Sequence, residues 1–252
     1  GPDRPVIAAS TGNFGQGLAF AARAQGVPAI VFADVKANPA KLDRMRSFGA
    51  TVIQQGRDFD AAREAAAARA ASTGGYLLVD GENPLVAAGA ATIALEVTDA
   101  ATARAIPLPA TAYVPLGNGA LIVGIGAWLR HAAPGCRVVG VSAADAPSMV
   151  LSWQRGEVVE TLAAATYAEG IACRVPVPEA LDMMVGRVDQ VLLVTEAELH
   201  AAEAGLLAAT GITAEGAAAA SWAGLLADAG RTGPALVILT GSNTGVATPA
   251  TR

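Results

Sequence analysis

The chain has 252 residues, 53% hydrophobic and 15% charged, with a net charge of −5 and only two lysines among its 17 basic residues. That length buries a sizeable core as one large domain or two small ones, and no basic run is long enough to mark a nucleic-acid or anionic-membrane partner. Cys136 and Cys173 stand alone, without C-x-x-C spacing or a secretory signal ahead of them. This points to a reduced, cytoplasmic setting with no metal site and no disulfide framework. Apolar stretches such as 214–226 are broken by Glu215, Ser221 and Trp222 below membrane-spanning length and read as buried helices, so no membrane partner is expected.

Taken in order, short β-rich runs alternate with longer helical ones, the pattern of parallel strands joined by crossover helices, and the fold class is α/β. Residues 6–9 read as a strand, followed by the loop Ser10-Thr11-Gly12-Asn13-Phe14-Gly15-Gln16-Gly17 and a helix over 18–24 whose buried stripe is Leu18, Ala21 and Ala22. Residues 29–32 are a second strand. Asn38-Pro39 starts a helix with proline at its first position, carrying Lys41, Leu42, Met45 and Phe48 and closed by Gly49. A strand at 51–53, an alanine-rich helix over 58–71 stopped by Gly74-Gly75, and a strand at 76–79 complete a four-stranded lobe. Asn83-Pro84 opens a helix to about residue 97, and the polar, proline-bearing stretch 98–109 reads as a domain boundary, giving lobes of 4–97 and 98–252.

The second lobe repeats the rhythm: a strand at 112–114, the loop Leu116-Gly117-Asn118-Gly119-Ala120-Leu121, a helix over 121–129 and a strand at 137–141. Short helices at 147–153 and 177–184 flank an irregular middle. A strand at 190–194, helices at 196–209 and 216–226, and a last strand at 235–239 lead to Thr240-Gly241-Ser242-Asn243-Thr244-Gly245. Both glycine loops follow an apolar strand and open a helix, where unpaired amides and the helix dipole hold anions. An ordinary strand-to-helix turn with Ser10 as its cap is the structural alternative for the first.

Familiar chemistries are excluded one by one. The third glycine of G-x-G-x-x-G would fall on Ile122, and neither Lys36 nor Lys41 follows a glycine loop as G-x-x-x-x-G-K-[ST] demands. No G-x-S-x-G accompanies the two histidines, His131 and His200, which read as surface residues. A monophosphate ligand remains, because one short glycine loop at one helix N-terminus suits a single phosphate group.

Ala9-Ser10-Thr11-Gly12-Asn13, the helix from Asn38 to Gly49, Gly117-Asn118-Gly119 and Thr240-Gly241-Ser242-Asn243 together resemble the signposts of the fold type II pyridoxal-phosphate enzymes, the tryptophan synthase β / threonine dehydratase family. Glu169-Gly170-Ile171-Ala172 and Glu215-Gly216-Ala217-Ala218 resemble the serine and threonine dehydratase branch, while Ser-Thr-Gly-Asn and Gly-Asn-Gly lean towards threonine synthase. The resemblance implies two α/β lobes with a ligand cleft between the loops at Ser10 and Gly117, pyridoxal 5'-phosphate as cofactor, an amino-acid substrate and a homodimer. It places Gly117, Asn118, Gly119, Ala120 and Leu121 around the cofactor phosphate, Asn13 on the pyridine 3′-oxygen, Thr240 at the pyridine nitrogen and Glu215 near the ring. Ser10, Thr11, Gly12 and Phe14 fall at the substrate carboxylate. Phe14 stands where a histidine is usual, Asn118 and Ala120 where glycines are usual, and Glu169 where an aspartate is usual; these bear on substrate more than on cofactor. Plain structural roles stand beside these: Asn13 as a helix cap, Thr240 satisfying a strand-end carbonyl, Glu215 as a helix-start charge.

The implied activity is β-elimination on L-threonine or L-serine, an ammonia-lyase or dehydratase reaction. A threonine synthase-like β-replacement is the alternative, and an inert phosphate-ligand module of the same fold is a reading from another class. A dinucleotide-dependent oxidoreductase is the third. The family's Schiff-base lysine is expected upstream of the strand that feeds the asparagine loop. Lys36 reads as surface, and Lys41 is placed with its ammonium pointing to water, so the catalytic lysine is expected on an N-terminal segment outside this chain.

Overall fold

In a computed structural model, which describes residues 4–242, the chain divides between Val79 and Asp80 into two units, each built on a parallel four-stranded sheet. The first unit runs β1 (Val6–Ala9), α1 (Asn13–Ala24), β2 (Ala29–Ala33), α2 (Pro39–Ser47), β3 (Thr51–Gln54), α3 (Phe59–Thr73) and β4 (Tyr76–Leu77), with strand order β3-β2-β1-β4. Alternation along β2 serves both faces of the sheet: Ala29, Val31 and Ala33 pack with Ala19, Ala22, Leu42 and Met45 of α1 and α2. Phe32, with Ile7 and Ala9, packs on Ala62, Ala66 and Ala70 of α3. The helix ends follow the capping chemistry. The Asn38 side chain accepts from the Ala40 amide at 2.9 Å ahead of Pro39, that of Asp58 from Ala61 at 2.9 Å, and α3 ends on left-handed Gly74.

Three readings in this unit are corrected. Helix α1 begins at Asn13, five residues before the expected start, so its buried stripe is Gly15, Ala19 and Ala22, with Leu18 partly buried and Ala21 exposed. Lys41 is buried, 8% exposed, instead of pointing to water. It lies one turn ahead of the buried Met45 and so shares its face of the helix. Strand β4 stops at Leu77, two residues short of the expected end.

The second unit runs α4 (Pro84–Ala103), β5 (Thr111–Pro115), α5 (Ala120–Ala132), β6 (Arg137–Ala143), α6 (Ser148–Arg155), a single 3-10 turn (Glu169–Ile171), α7 (Pro178–Met184), β7 (Gln190–Val194), α8 (Glu196–Thr210), α9 (Gly216–Ala227) and β8 (Ala235–Val237), with strand order β7-β6-β5-β8. Most of α9 is buried, and the Ser221 hydroxyl inside it donates to the Ile238 carbonyl at 2.6 Å. Helix α4 runs six residues past the expected end, through the start of the stretch read as a boundary. It belongs to the second unit, not to a first lobe ending at 97. Its threonines mislead as loop residues because their hydroxyls bond back along the helix, Thr98 to Leu95 and Thr102 to Thr98, each at 2.9 Å. At 20 residues α4 is also long and apolar enough to cross a membrane by length and composition; here it packs along α5. A Cβ on Gly124 of α5 would collide with the Ala87 carbonyl of α4 and come within 2.8 Å of the Ala91 nitrogen, and Trp128 donates to Thr98 Oγ1 at 2.9 Å.

At the N-terminal ends of these strands lies a buried polar knot. The Tyr113 hydroxyl donates to Asp228 at 2.6 Å, Arg137 pairs with the same carboxylate, and Arg137 also donates to Gln190 at 2.8 Å. Burial works to raise the Asp228 carboxyl, but the Tyr113 hydroxyl, the Gly230 amide and the Arg137 guanidinium outweigh it and hold it below the usual range. Burial, helped by Asp228, pushes the Tyr113 phenol up to about 12.

Two outcomes follow from this packing. Gly124→Ala is expected to lower stability by about 2 kcal/mol, because the added carbon meets backbone and not a movable side chain; a fall in melting temperature checks it. Asp228→Ala is expected to cost about 3 kcal/mol or more at neutral pH by stranding Arg137 and Tyr113. The Asp228 carboxyl is held low, so its stabilisation is complete above the ordinary carboxylate value. It fades as pH falls through the lowered one, and in urea titrations the gap between variant and parent should close there.

Candidate functional site

In the first unit the loop after β1 is organised by Ser10, which is 5% exposed. Its hydroxyl accepts the amides of Gly12 at 3.2 Å and Gly15 at 2.8 Å. It thereby takes up amides at the start of α1, whose cap position is Gly12 and not Asn13. Thr11 is buried, Phe14 partly so, and Asn13 is exposed at the first position of the helix. Gly15 is required by close approach, since a Cβ there would lie 2.8 Å from Met45 Cε and 2.9 Å from Ser10 Cβ. Gln16, in the first turn, keeps its Nε2 buried without a hydrogen-bond partner.

In the second unit the loop after β5 places Gly117 and Asn118 ahead of Gly119, the left-handed cap residue of α5, with φ +97°. Ala120 is buried and Leu121 partly so in the first turn. Backbone crowds this loop from two sides. A Cβ on Gly117 would lie 2.8 Å from the Gly170 carbonyl oxygen, and one on Gly81, which has φ +91°, would collide with the Asn118 carbonyl. A Cβ on Gly170 would in turn lie 2.9 Å from Ala217 Cβ in the first turn of α9, and α7 reaches in with Ala180, 3.1 Å from a Cβ on Gly119. The 3-10 turn that starts at Glu169 is therefore wedged between the Gly117 loop and α9. Glu215 caps α9 by position without a side-chain cap bond, and its amide donates to the Gly241 carbonyl at 3.1 Å. That bond draws Thr240 and Gly241 to the start of α9, while residues 243–245 lie outside the described residues.

One side chain was missed in the sequence. Asp80 hydrogen-bonds the Asn118 side chain; burial pushes its carboxyl up to about 6, partly offset by that bond. Asn118 Oδ1 is buried and unpartnered, so it is the Asn118 amide N–H that serves Asp80. The available signal was Asp80-Gly81 directly ahead of Asn83-Pro84, a turn pair that ties whatever precedes α4 to whatever it packs on. His131 and His200 are exposed, as expected; His200 stacks on Tyr167 at 4.2 Å.

The second unit thus offers a short glycine loop at a helix N-terminus, in which Gly119 caps α5 in the left-handed region and the Cβ positions of Gly117 and Gly119 are taken by the Gly170 carbonyl and Ala180, so that the loop is held by backbone contacts. These residues fit the phosphate end of a small cofactor. The L-threonine ammonia-lyase of Geobacter sulfurreducens is 39% identical over 221 residues, 88% of this chain and 54% of that protein. The mitochondrial threonine dehydratase of Saccharomyces cerevisiae is 34% identical over 87% of this chain and 38% of its own length. The crystal structure of a threonine deaminase from T.th. superposes with a TM-score of 0.88 at 29% identity, covering 98% of this chain and 80% of that one. The chain spans about half the length of the first of these relatives. The family described as pyridoxal-phosphate dependent enzyme matches residues 1–241, and the chain belongs to it.

Proposed function

We propose that this chain carries the cofactor- and carboxylate-binding parts of an ammonia-lyase that acts on L-threonine or L-serine. The observation that carries the reading is the glycine loop at Gly117 to Gly119 on the N-terminus of α5, in a chain 39% identical to an L-threonine ammonia-lyase. Gly117, Asn118, Gly119, Ala120 and Leu121 would hold the phosphate through backbone amides and the helix dipole. Asn13 would meet the ring oxygen, Glu215 would lie near the ring, and Ser10, Thr11, Gly12 and Phe14 would take the substrate carboxylate. When bound, pyridoxal phosphate supplies an electron sink for the pair left at the substrate's α-carbon. Thr240 would set how that sink is used. A hydroxyl offers the ring nitrogen a hydrogen bond but no negative charge, which favours a neutral ring and keeps the electron pair near the α-carbon. That bias favours loss of a β-hydroxyl as water over transamination; the enamine left behind tautomerises to an imine, and one water hydrolyses it to a 2-oxo acid and ammonia. The same reading makes the enzyme a cytoplasmic homodimer, as the family resemblance implies, and the net charge of −5 speaks against a nucleic-acid partner.

The α-proton needs a base and the cofactor a covalent anchor, a lysine in this chemistry. Lys36 is exposed in the turn after β2, and Lys41 is buried in the first turn of α2 beside Leu42 and Met45. We assign the role to neither. With pyridoxal phosphate and borohydride, the 252-residue chain is expected to show no single stoichiometric pyridoxyl-lysine, and a form extended upstream to be labelled outside the present numbering and to release ammonia from serine or threonine. One-to-one labelling of Lys36 or Lys41, with ammonia released by the short chain, would redraw the active site around that lysine.

The cradle has its own test. Gly119→Val should lose measurable pyridoxal-phosphate binding while keeping the parent's far-ultraviolet circular dichroism, because a branched side chain forced to φ +97° and set 3.1 Å from Ala180 must shift the loop that presents the helix N-terminus. Unchanged affinity would place the phosphate elsewhere.

A further inference from the structure

Asp80 sits where an anion site would not be expected to tolerate it. It precedes Gly81, whose backbone is pinned against the Asn118 carbonyl at φ +91°, and its carboxyl is hydrogen-bonded by the Asn118 side chain. An ionised carboxylate can only accept, so it satisfies the Asn118 amide N–H and leaves Oδ1 as it is found, buried and without a donor. A protonated carboxyl has one more hydrogen. It can accept from the amide and donate to Oδ1 at once, closing a two-bond ring that satisfies both groups.

We propose that Asp80 is a proton-responsive positioning residue for the Gly117–Gly119 loop, ionised when the loop is empty and protonated, in a paired ring with Asn118, when an anion occupies it. This rests on the reading above, that the loop takes the cofactor's phosphate. Asp80 acts through Asn118 and not on the reacting atoms. An incoming phosphate repels a neighbouring carboxylate, and the carboxyl is already poised near 6 by burial. A further rise carries it through neutrality, and binding takes up the proton that closes the ring. The other titratable groups on the surrounding elements are Glu82 on the same segment, Glu179 and Asp182 on α7, Glu169 and Arg174 about the 3-10 turn, Arg155 on α6, and Arg130 and His131 at the far end of α5. Glu82, Glu179 and Asp182 are exposed, and among the described residues it is burial and Asn118 that act on Asp80.

The experiment is calorimetric binding of pyridoxal phosphate to the 252-residue chain and to Asp80→Asn between pH 5.5 and 8, each in two buffers of different ionisation enthalpy. Asparagine at 80 mimics the neutral carboxyl, donating to Oδ1 at every pH. The affinity of the parent relative to Asp80→Asn should fall about tenfold from pH 5.5 to 8, as expected for one charge beside another at a protein surface. The parent should also take up more protons on binding at pH 7.5 than the variant. Asp80→Ala, which loses the positioning at every pH, should bind more weakly than Asp80→Asn throughout. Parallel pH profiles with equal proton counts would overturn the role of Asp80 and leave the cradle standing. Binding by neither protein, both folded by circular dichroism, would overturn the cradle and this inference with it. Should Asp80→Asn fail to fold, the parent's proton count decides: no uptake beyond what the ligand's own phosphate accounts for rejects the proposal.

Discussion

The second unit depends on how closely α4 and α5 lie together. Side-chain ridges normally hold two packed helices 8–10 Å apart. Here Gly124 removes the spacer, and the Ala87 carbonyl and Ala91 nitrogen of α4 occupy the space that its side chain would need. The Trp128–Thr98 hydrogen bond fixes the pair further along. Because α5 cannot slide or roll on α4 without striking backbone, the direction of its N-terminus is set. The loop at Gly117 inherits that direction.

The same device recurs at the mouth of α5. Gly117 admits the Gly170 carbonyl, Gly81 admits the Asn118 carbonyl, and Gly170 admits Ala217. A loop built from such contacts is rigid without carrying side chains of its own, which is what a backbone cradle for an anion requires. It also explains the irregular middle of the unit: the turn at Glu169–Ile171 serves as a wedge between two helix N-termini, α5 and α9. The Glu215 amide on the Gly241 carbonyl then ties the segment after β8 to the same corner. In the first unit Ser10 does comparable work with one hydroxyl shared between two amides.

Much of this was legible in the sequence because it rests on local chemistry. Asn38-Pro39, Asn83-Pro84 and Gly74 mark helix ends by capping and backbone preference, and the structure places those ends within two residues of the reading. The two glycine loops were visible for the same reason. What was not legible depends on the phase of a helix or on a partner distant in sequence. Ala21 and Ala19 are chemically identical, and only the start of α1 at Asn13 decides which is buried. Lys41 is buried because it shares a face with Met45, although its charge argues for water. Thr98 and Thr102 resemble loop residues until their hydroxyls are seen bonding back into α4. Asp80 gains its meaning only from Asn118, 38 positions along the chain.

Two carboxylates of the second unit show how the sheet divides its labour. Asp228 is buried and ionised because the Tyr113 hydroxyl, the Arg137 guanidinium and the Gly230 amide surround it. Arg137 and Gln190 are the first residues of β6 and β7, so this charge sits toward the N-terminal edge of the sheet and serves to hold strands and the segment after α9 together. Asp80 instead meets Asn118 in the loop beyond the C-terminal end of β5, with no cation among the described residues acting on it. Parallel strands bring all their C-terminal loops to one edge, and ligands collect there. A charge locked in place at that edge would oppose an anion permanently, whereas one held only by an amide can be discharged by a single proton. The fixed ion pair belongs at the edge that carries stability, and the labile carboxyl at the edge that carries the cradle.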